Sequence, residues 1–231
     1  MITWHGVPSS EAPVVVEHPP GRIIPKRKME VVEVPGRNGD VIISQDAFES
    51  VEQTYEVHIP SGVPDLALAI RGVIDWLCYP GYNRLEDSYE PEVYRIAYYE
   101  GDHEIENILN RAGKAEITFM CKPERWLKIG EVPIVMTAAG SLVNPTNRTA
   151  KPLITVQGSG AGVLTVGSNT TTLTDCNGIV LDCDYEDAYR NSVNMNSTVT
   201  GDFPTFAAGV NNITWSGGIT GLTIVPRWWT L

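Results

Sequence analysis

Val51-Glu52-Gln53-Thr54-Tyr55-Glu56-Val57-His58-Ile59 alternates its side chains: Val51, Tyr55, Val57 and Ile59 are apolar, while Glu52, Thr54, Glu56 and His58 are polar. A period of two is that of a β-strand with one buried face. The alternation returns at Ala115, Ile117, Phe119 and Cys121, set against Glu116, Thr118, Met120 and Lys122, and a further strand is expected from Val93 to Tyr99. Between these runs Pro64 opens a helix whose Leu66, Ile70, Val73, Ile74 and Leu77 share one stripe before Tyr79-Pro80-Gly81 ends it. Upstream, Glu30 to Val34 and Val41 to Ile43 flank a loop in which Asn38-Gly39 is a strong turn signal, so the pair is expected to form a hairpin. Residues 1 to 28 are rich in Pro and Gly and end in Pro25-Lys26-Arg27-Lys28. They read as an extended, irregular N-terminal arm that orders against a neighbour.

The composition changes at Ala138-Ala139-Gly140-Ser141. Beyond it, short strands are split by Gly, Asn, Asp and Thr turns with no helical period, as in a sandwich of about 90 residues. Strands are expected at Leu153 to Val156, Val163 to Val166, Ile179 to Asp182, Asn211 to Trp215 and Leu222 to Pro226. The fold class is therefore mainly β. Residues 1–140 form a β-rich domain with one α-helix and residues 141–231 a β-sandwich.

The net charge of −11 argues against a nucleic-acid-binding surface, which needs clustered Lys and Arg. Residues 1–140 hold 13 basic and 22 acidic side chains, a balance of −9, whereas residues 141–231 hold 4 and 6, a balance of −2. No apolar run approaches the roughly 20 residues of a membrane helix, and the N-terminus has no cationic lead into an apolar segment. The chain is expected to be soluble and to stay where it is made.

Cys78, Cys121, Cys176 and Cys183 lack the spacing of a zinc site and are expected as reduced, mostly buried thiols, with a Cys176 to Cys183 bridge as the alternative. His5, His18, His58 and His103 stand in no constellation with a nucleophile, and no phosphate-binding or serine-hydrolase motif occurs. The run Asp182-Cys183-Asp184-Tyr185-Glu186-Asp187 offers hard oxygen ligands but lacks the glycine and distal Glu of a calcium loop. Trp215, Trp228 and Trp229 invite a sugar-stacking reading, with core packing the commoner fate of Trp. Tyr79, Tyr82, Tyr89, Tyr94, Tyr98 and Tyr99 suit a domain edge or a subunit interface. No catalytic, cofactor or metal residues are assigned; the sequons at Asn147, Asn169, Asn196 and Asn212 read as polar turn and strand residues.

Several segments, taken in order, resemble the distal tail protein family of long, non-contractile-tailed phages and prophages. In the first domain these are Val34-Pro35-Gly36-Arg37-Asn38-Gly39-Asp40, the strand through Tyr55, Trp76-Leu77 with Tyr82 and Leu85, and Phe119-Met120-Cys121-Lys122-Pro123. In the second they are Pro152-Leu153-Ile154-Thr155-Val156 with Gly158-Ser159-Gly160, then Phe203-Pro204, Gly209-Val210-Asn211 and Pro226-Arg227-Trp228. The resemblance implies a non-enzymatic virion protein of the tail tip, assembled in the host cytoplasm. It implies a homo-hexameric ring whose N-terminal belt domains join the tail tube protein to the tail-tip protein. It also implies a C-terminal galectin-like or carbohydrate-binding-module-like sandwich that carries receptor-binding proteins. An acidic ring wall would let DNA slide through. The alternative is a lectin-like protein that recognises host-surface glycan through the sandwich; a tail-tip hydrolase would need paired carboxylates about 5 to 9 Å apart.

Overall fold

Val51, Gln53, Tyr55 and Val57 are buried while the residues between them are not, so the alternation read from the sequence is realised. The computed structural model describes residues 1–101 and 114–231; His103 lies outside the described residues. These residues divide into two compact units, Met1–Arg125 with Leu231, and Trp126–Thr230.

The first unit contains β1 (Ile2–Trp4), β2 (Val7–Pro8), β3 (Val15–Val16), β4 (Arg27–Val32), β5 (Val41–Phe48), β6 (Val51–His58), α1 (Leu66–Leu77), β7 (Asn83–Asp87), β8 (Val93–Tyr99) and β9 (Lys114–Leu127, whose last two residues fall in the second unit). Its main sheet runs β2-β1-β7-β8-β9-β6-β3, while β4 and β5 form a separate two-stranded ribbon. The long pairing of β6 with β9 sets Tyr55 opposite Ile117 and Val57 opposite Ala115, so the apolar sets of both strands share one face. The helix begins where the Asp65 side chain accepts the Leu68 amide at 3.0 Å, an N-cap worth about 1 kcal/mol. It buries Ala69, Ile70, Val73, Trp76 and Leu77 in the same core as Trp4, Tyr55, Leu85, Ile117 and Phe119. Leu66, expected on that stripe, is exposed, and Trp76 takes a place in the core with its indole N–H on the Val7 carbonyl at 3.1 Å.

The irregular arm expected over residues 1 to 28 is corrected for its first sixteen residues. Ile2 and Trp4 have no exposed surface, and Ala12, Val14 and Val16 are buried beside them. β1 enters the sheet opposite β7, with Trp4 facing Leu85, and turns into β2 through His5-Gly6, both at positive φ as a two-residue hairpin requires. From Glu17 to Lys26 the chain has no regular element.

The second unit contains β10 (Ile134–Met136), β11 (Gly140–Asn144), β12 (Leu153–Val166), β13 (Asn169–Leu173), β14 (Val180–Asp182), β15 (Asp187–Arg190), β16 (Val193–Asn194), β17 (Val199–Gly201), β18 (Gly209–Val225) and β19 (Trp229–Thr230). The boundary expected after residue 140 is drawn earlier here, because β10 pairs with Leu222–Ile224 of β18 and Leu127 and Met136 pack on the second core. Two pairs of expected strands merge: Leu153 to Val156 with Val163 to Val166 into β12, and Asn211 to Trp215 with Leu222 to Pro226 into β18, which ends one residue earlier at Val225. These long partners stay paired through an irregularity where residues 159–161 of β12 face Gly218. A Cβ on Gly218 would lie 1.8 Å from the Ser159 carbonyl oxygen, so only glycine permits this approach. One continuous sheet thereby curls around Ile154, Val156, Leu164, Leu181, Ile213, Leu222 and Ile224.

Candidate functional site

Among the described residues the ribbon of β4 and β5 gathers a run of exposed apolar side chains, Met29, Val31, Val32, Ile42 and Ile43. Cross-strand partners share a face, so Val31 and Ile42 stand together with Met29 on one side, and Val32, Val41 and Ile43 on the other. Val31 is 58% exposed and Ile42 61%, and Ile24 on the approach is 86% exposed. Among the described residues the two strands pair only with each other. A lone two-stranded ribbon is marginal in water, and an apolar patch of this kind marks a contact surface. Its tip differs from the expected Asn38-Gly39 turn. The hydrogen-bonded turn is Val34-Pro35-Gly36-Arg37, closed by the Arg37 amide on the Val34 carbonyl at 3.1 Å with Gly36 at φ +80°, and Gly39 (φ +78°) lies in the rest of the loop. The base is closed by the Glu49 amide on the Lys26 carbonyl at 2.8 Å, with the Arg27 guanidinium 5.2 Å from the Phe48 ring centre.

The tyrosine-rich stretch separates into three environments. Tyr79, Tyr82, Tyr98 and Tyr99 line an open groove of about 400 Å³ with Cys78, Pro80 and Glu100. There the Tyr82 and Tyr98 rings meet edge to face at 5.2 Å, Lys122 Nζ lies 5.0 Å from the Tyr82 ring, and Tyr79 stacks on His5 at 4.2 Å. Tyr94 lies under the Arg84 guanidinium at 3.7 Å. Tyr89 lines a second cavity with Arg22, Glu90 and Arg95; the Glu90 carboxylate takes Arg22, Arg95 and Arg125 at 3.2, 3.7 and 2.9 Å.

In the second unit the tryptophans are engaged. Trp228 is 4% exposed and packs on Phe206 at 5.4 Å; Trp229 donates to the Thr149 carbonyl at 3.0 Å and lies 5.8 Å from the Arg148 guanidinium; Trp215 packs against the core. In the acidic run Asp182 and Asp187 are engaged, while residues 184–186 are exposed. Asp182 takes a two-pronged contact from Arg227 at 2.6 and 3.1 Å and accepts the Asp184 amide, and Asp187 accepts from Asn194 and Asn196. Burial disfavours the Asp182 carboxylate, but the Arg227 hydrogen bonds and charge outweigh it and hold its pKa below the usual carboxylate range.

All four cysteines are free thiols; Cys121, Cys176 and Cys183 are buried and Cys78 is exposed. Burial pushes the Cys121 and Cys183 thiols up to about 12, which leaves them protonated and unreactive. The surface residues that sequence reasoning missed are Ile24, Met29 and Ile42, whose exposure follows from the ribbon's separation from the main sheet.

Comparison with known proteins adds two findings. Residues 10–121 match the profile of the phage tail protein RIFT-related domain. The whole chain superposes on the crystal structure of the SPP1 Dit (gp 19.1) protein, described as a paradigm of the hub adsorption apparatus in phages infecting Gram-positive bacteria. The TM-score is 0.76 at 15% sequence identity, and the match covers 100% of this chain and 98% of that one. Among curated proteins no sequence match is found.

Proposed function

We propose, from a first unit that carries a phage tail RIFT-related domain within a chain that has the fold of a phage hub protein, that this is a structural protein of the phage tail tip. In this reading six copies close a ring through their first units. The ring joins the tail tube protein to the tail-tip protein and leaves a passage for DNA, whose phosphates the acidic balance of the first part keeps from sticking. The second unit, galectin-like in this reading, offers an attachment surface for receptor-binding proteins. The chain works by assembly and needs neither cofactor nor catalytic residues.

The observation that carries the reading is the β4–β5 ribbon, an element with apolar side chains on both faces and no partner of its own among the described residues. A closed ring needs a heterologous contact on every subunit, and such a ribbon laid on the next copy supplies one. Direct glycan recognition has less support, because Trp228 is in the core and the Trp229 indole is already bonded.

The doubly substituted chain Val31→Asp, Ile42→Asp tests this. Both side chains are exposed in the single chain, so folding should be unchanged by circular dichroism while the ring falls to monomers in sedimentation velocity. A variant that sediments like the parent chain would show that the ribbon does not build the ring.

A further inference from the structure

β3 runs antiparallel to β6 with Val16 opposite Val57, so the next residue, Glu17, stands opposite Glu56, and its amide donates to the Glu56 carbonyl at 2.9 Å. His18 follows at once. One donor atom from each of Glu17, His18 and Glu56 lies within 4.8 Å of the other two. His58 Nδ1 lies 3.1 Å from Glu17 Oε1, while Lys114 Nζ holds the other Glu17 oxygen at 2.8 Å. On the far side β9 sets Glu116 opposite Glu56. Carboxylates on β9, on β6 and just past the end of β3 thus follow one another, an arrangement that is destabilising across a sheet unless positive charge lies among them.

The donor chemistry is mixed. Imidazole nitrogen beside carboxylate oxygen suits zinc, cobalt or nickel, whereas calcium and magnesium take all-oxygen sets. Lys114 can stay on one Glu17 oxygen, and an ion would take the other, Oε1, from the His58 ring that faces it. We propose that Glu17, His18 and Glu56 bind one transition-metal dication of the zinc type on each chain, with the His58 ring beside Glu17. Glu17 and His18 open the segment that leads to the ribbon at Arg27, so the ion fastens the root of that segment to β6. The site is independent of the ring: it is complete within one chain.

Calorimetric titration of the full chain with Zn²⁺ tests it, in a chelator-free buffer and with Cys78→Ser removing the exposed thiol as a rival ligand. The expected result is saturable binding of one ion per chain and a higher melting temperature with zinc, as a ligand of the folded state produces. His18→Ala and Glu56→Gln, both at exposed positions, should fold normally, bind zinc about 10-fold more weakly or worse, and lose the thermal shift. Equal zinc affinity in both variants, no saturable binding, or tighter binding of Ca²⁺ than of Zn²⁺ would each overturn the site.

Discussion

Trp4 has no exposed surface, and its ring lies 4.9 Å from that of Phe119 at the centre of the first core. Trp4→Ala removes that packing and should cost about 3–5 kcal/mol, the range for deleting a large buried aromatic side chain. Denaturant unfolding followed by Trp fluorescence checks this; a loss below about 1 kcal/mol would return residues 1–16 to the status of an arm. In the second unit the Asp182–Arg227 pair makes stability depend on pH. The folded-state pKa of Asp182 is depressed, so its contribution is complete above the unfolded value near 4 and is lost as the pH falls through the folded value. Asp182→Asn should therefore melt earlier than the parent at pH 7, by about 1–3 kcal/mol for a charge-assisted hydrogen-bonded pair, and the gap should close as the pH is lowered past 4. A gap that is constant with pH would remove the pair from the account.

Among the elements, β6, β9 and α1 were legible in the sequence because each is long enough to show its period and has one face buried. β1 was not: Ile2-Thr3-Trp4 is too short for a period, and its place in the core comes from pairing with β7, which no local signal announces. β10 escaped for the same reason, and its pairing with β18 is why residues 126–140 go with the second unit. The bend that joins the expected short strands into β12 and β18 depends on Gly158 and Gly218 meeting across the sheet, a contact distant in sequence. The Glu17, His18 and Glu56 group is hidden likewise, since only the register of β3 on β6 assembles it. The ribbon was legible as a hairpin, but its isolation from the main sheet was not. A fragment of residues 126–231 should accordingly melt higher than one of residues 141–231, which lacks β10 and the packing of Leu127 and Met136 on the core. Scanning calorimetry of the two fragments decides it. Equal melting temperatures would place the boundary nearer residue 140.

At the scale of the whole molecule, several of the polar and aromatic groups weighed as sites in the sequence are engaged within the fold. The acidic run is bonded to Arg227 and to backbone amides, the buried thiols are held protonated, and the tryptophans of the second unit are engaged. Among the exposed apolar side chains, Met29, Val31, Val32, Ile42 and Ile43 are gathered on the ribbon. In the proposed ring each copy would cover that surface on the next, whereas a monomer would hold it in water. The mass of the full chain in solution, by sedimentation equilibrium or native mass spectrometry at tens of micromolar, tests this claim most directly. A particle of six 25.3-kDa chains is expected, and a monodisperse monomer at that concentration would rule the ring out.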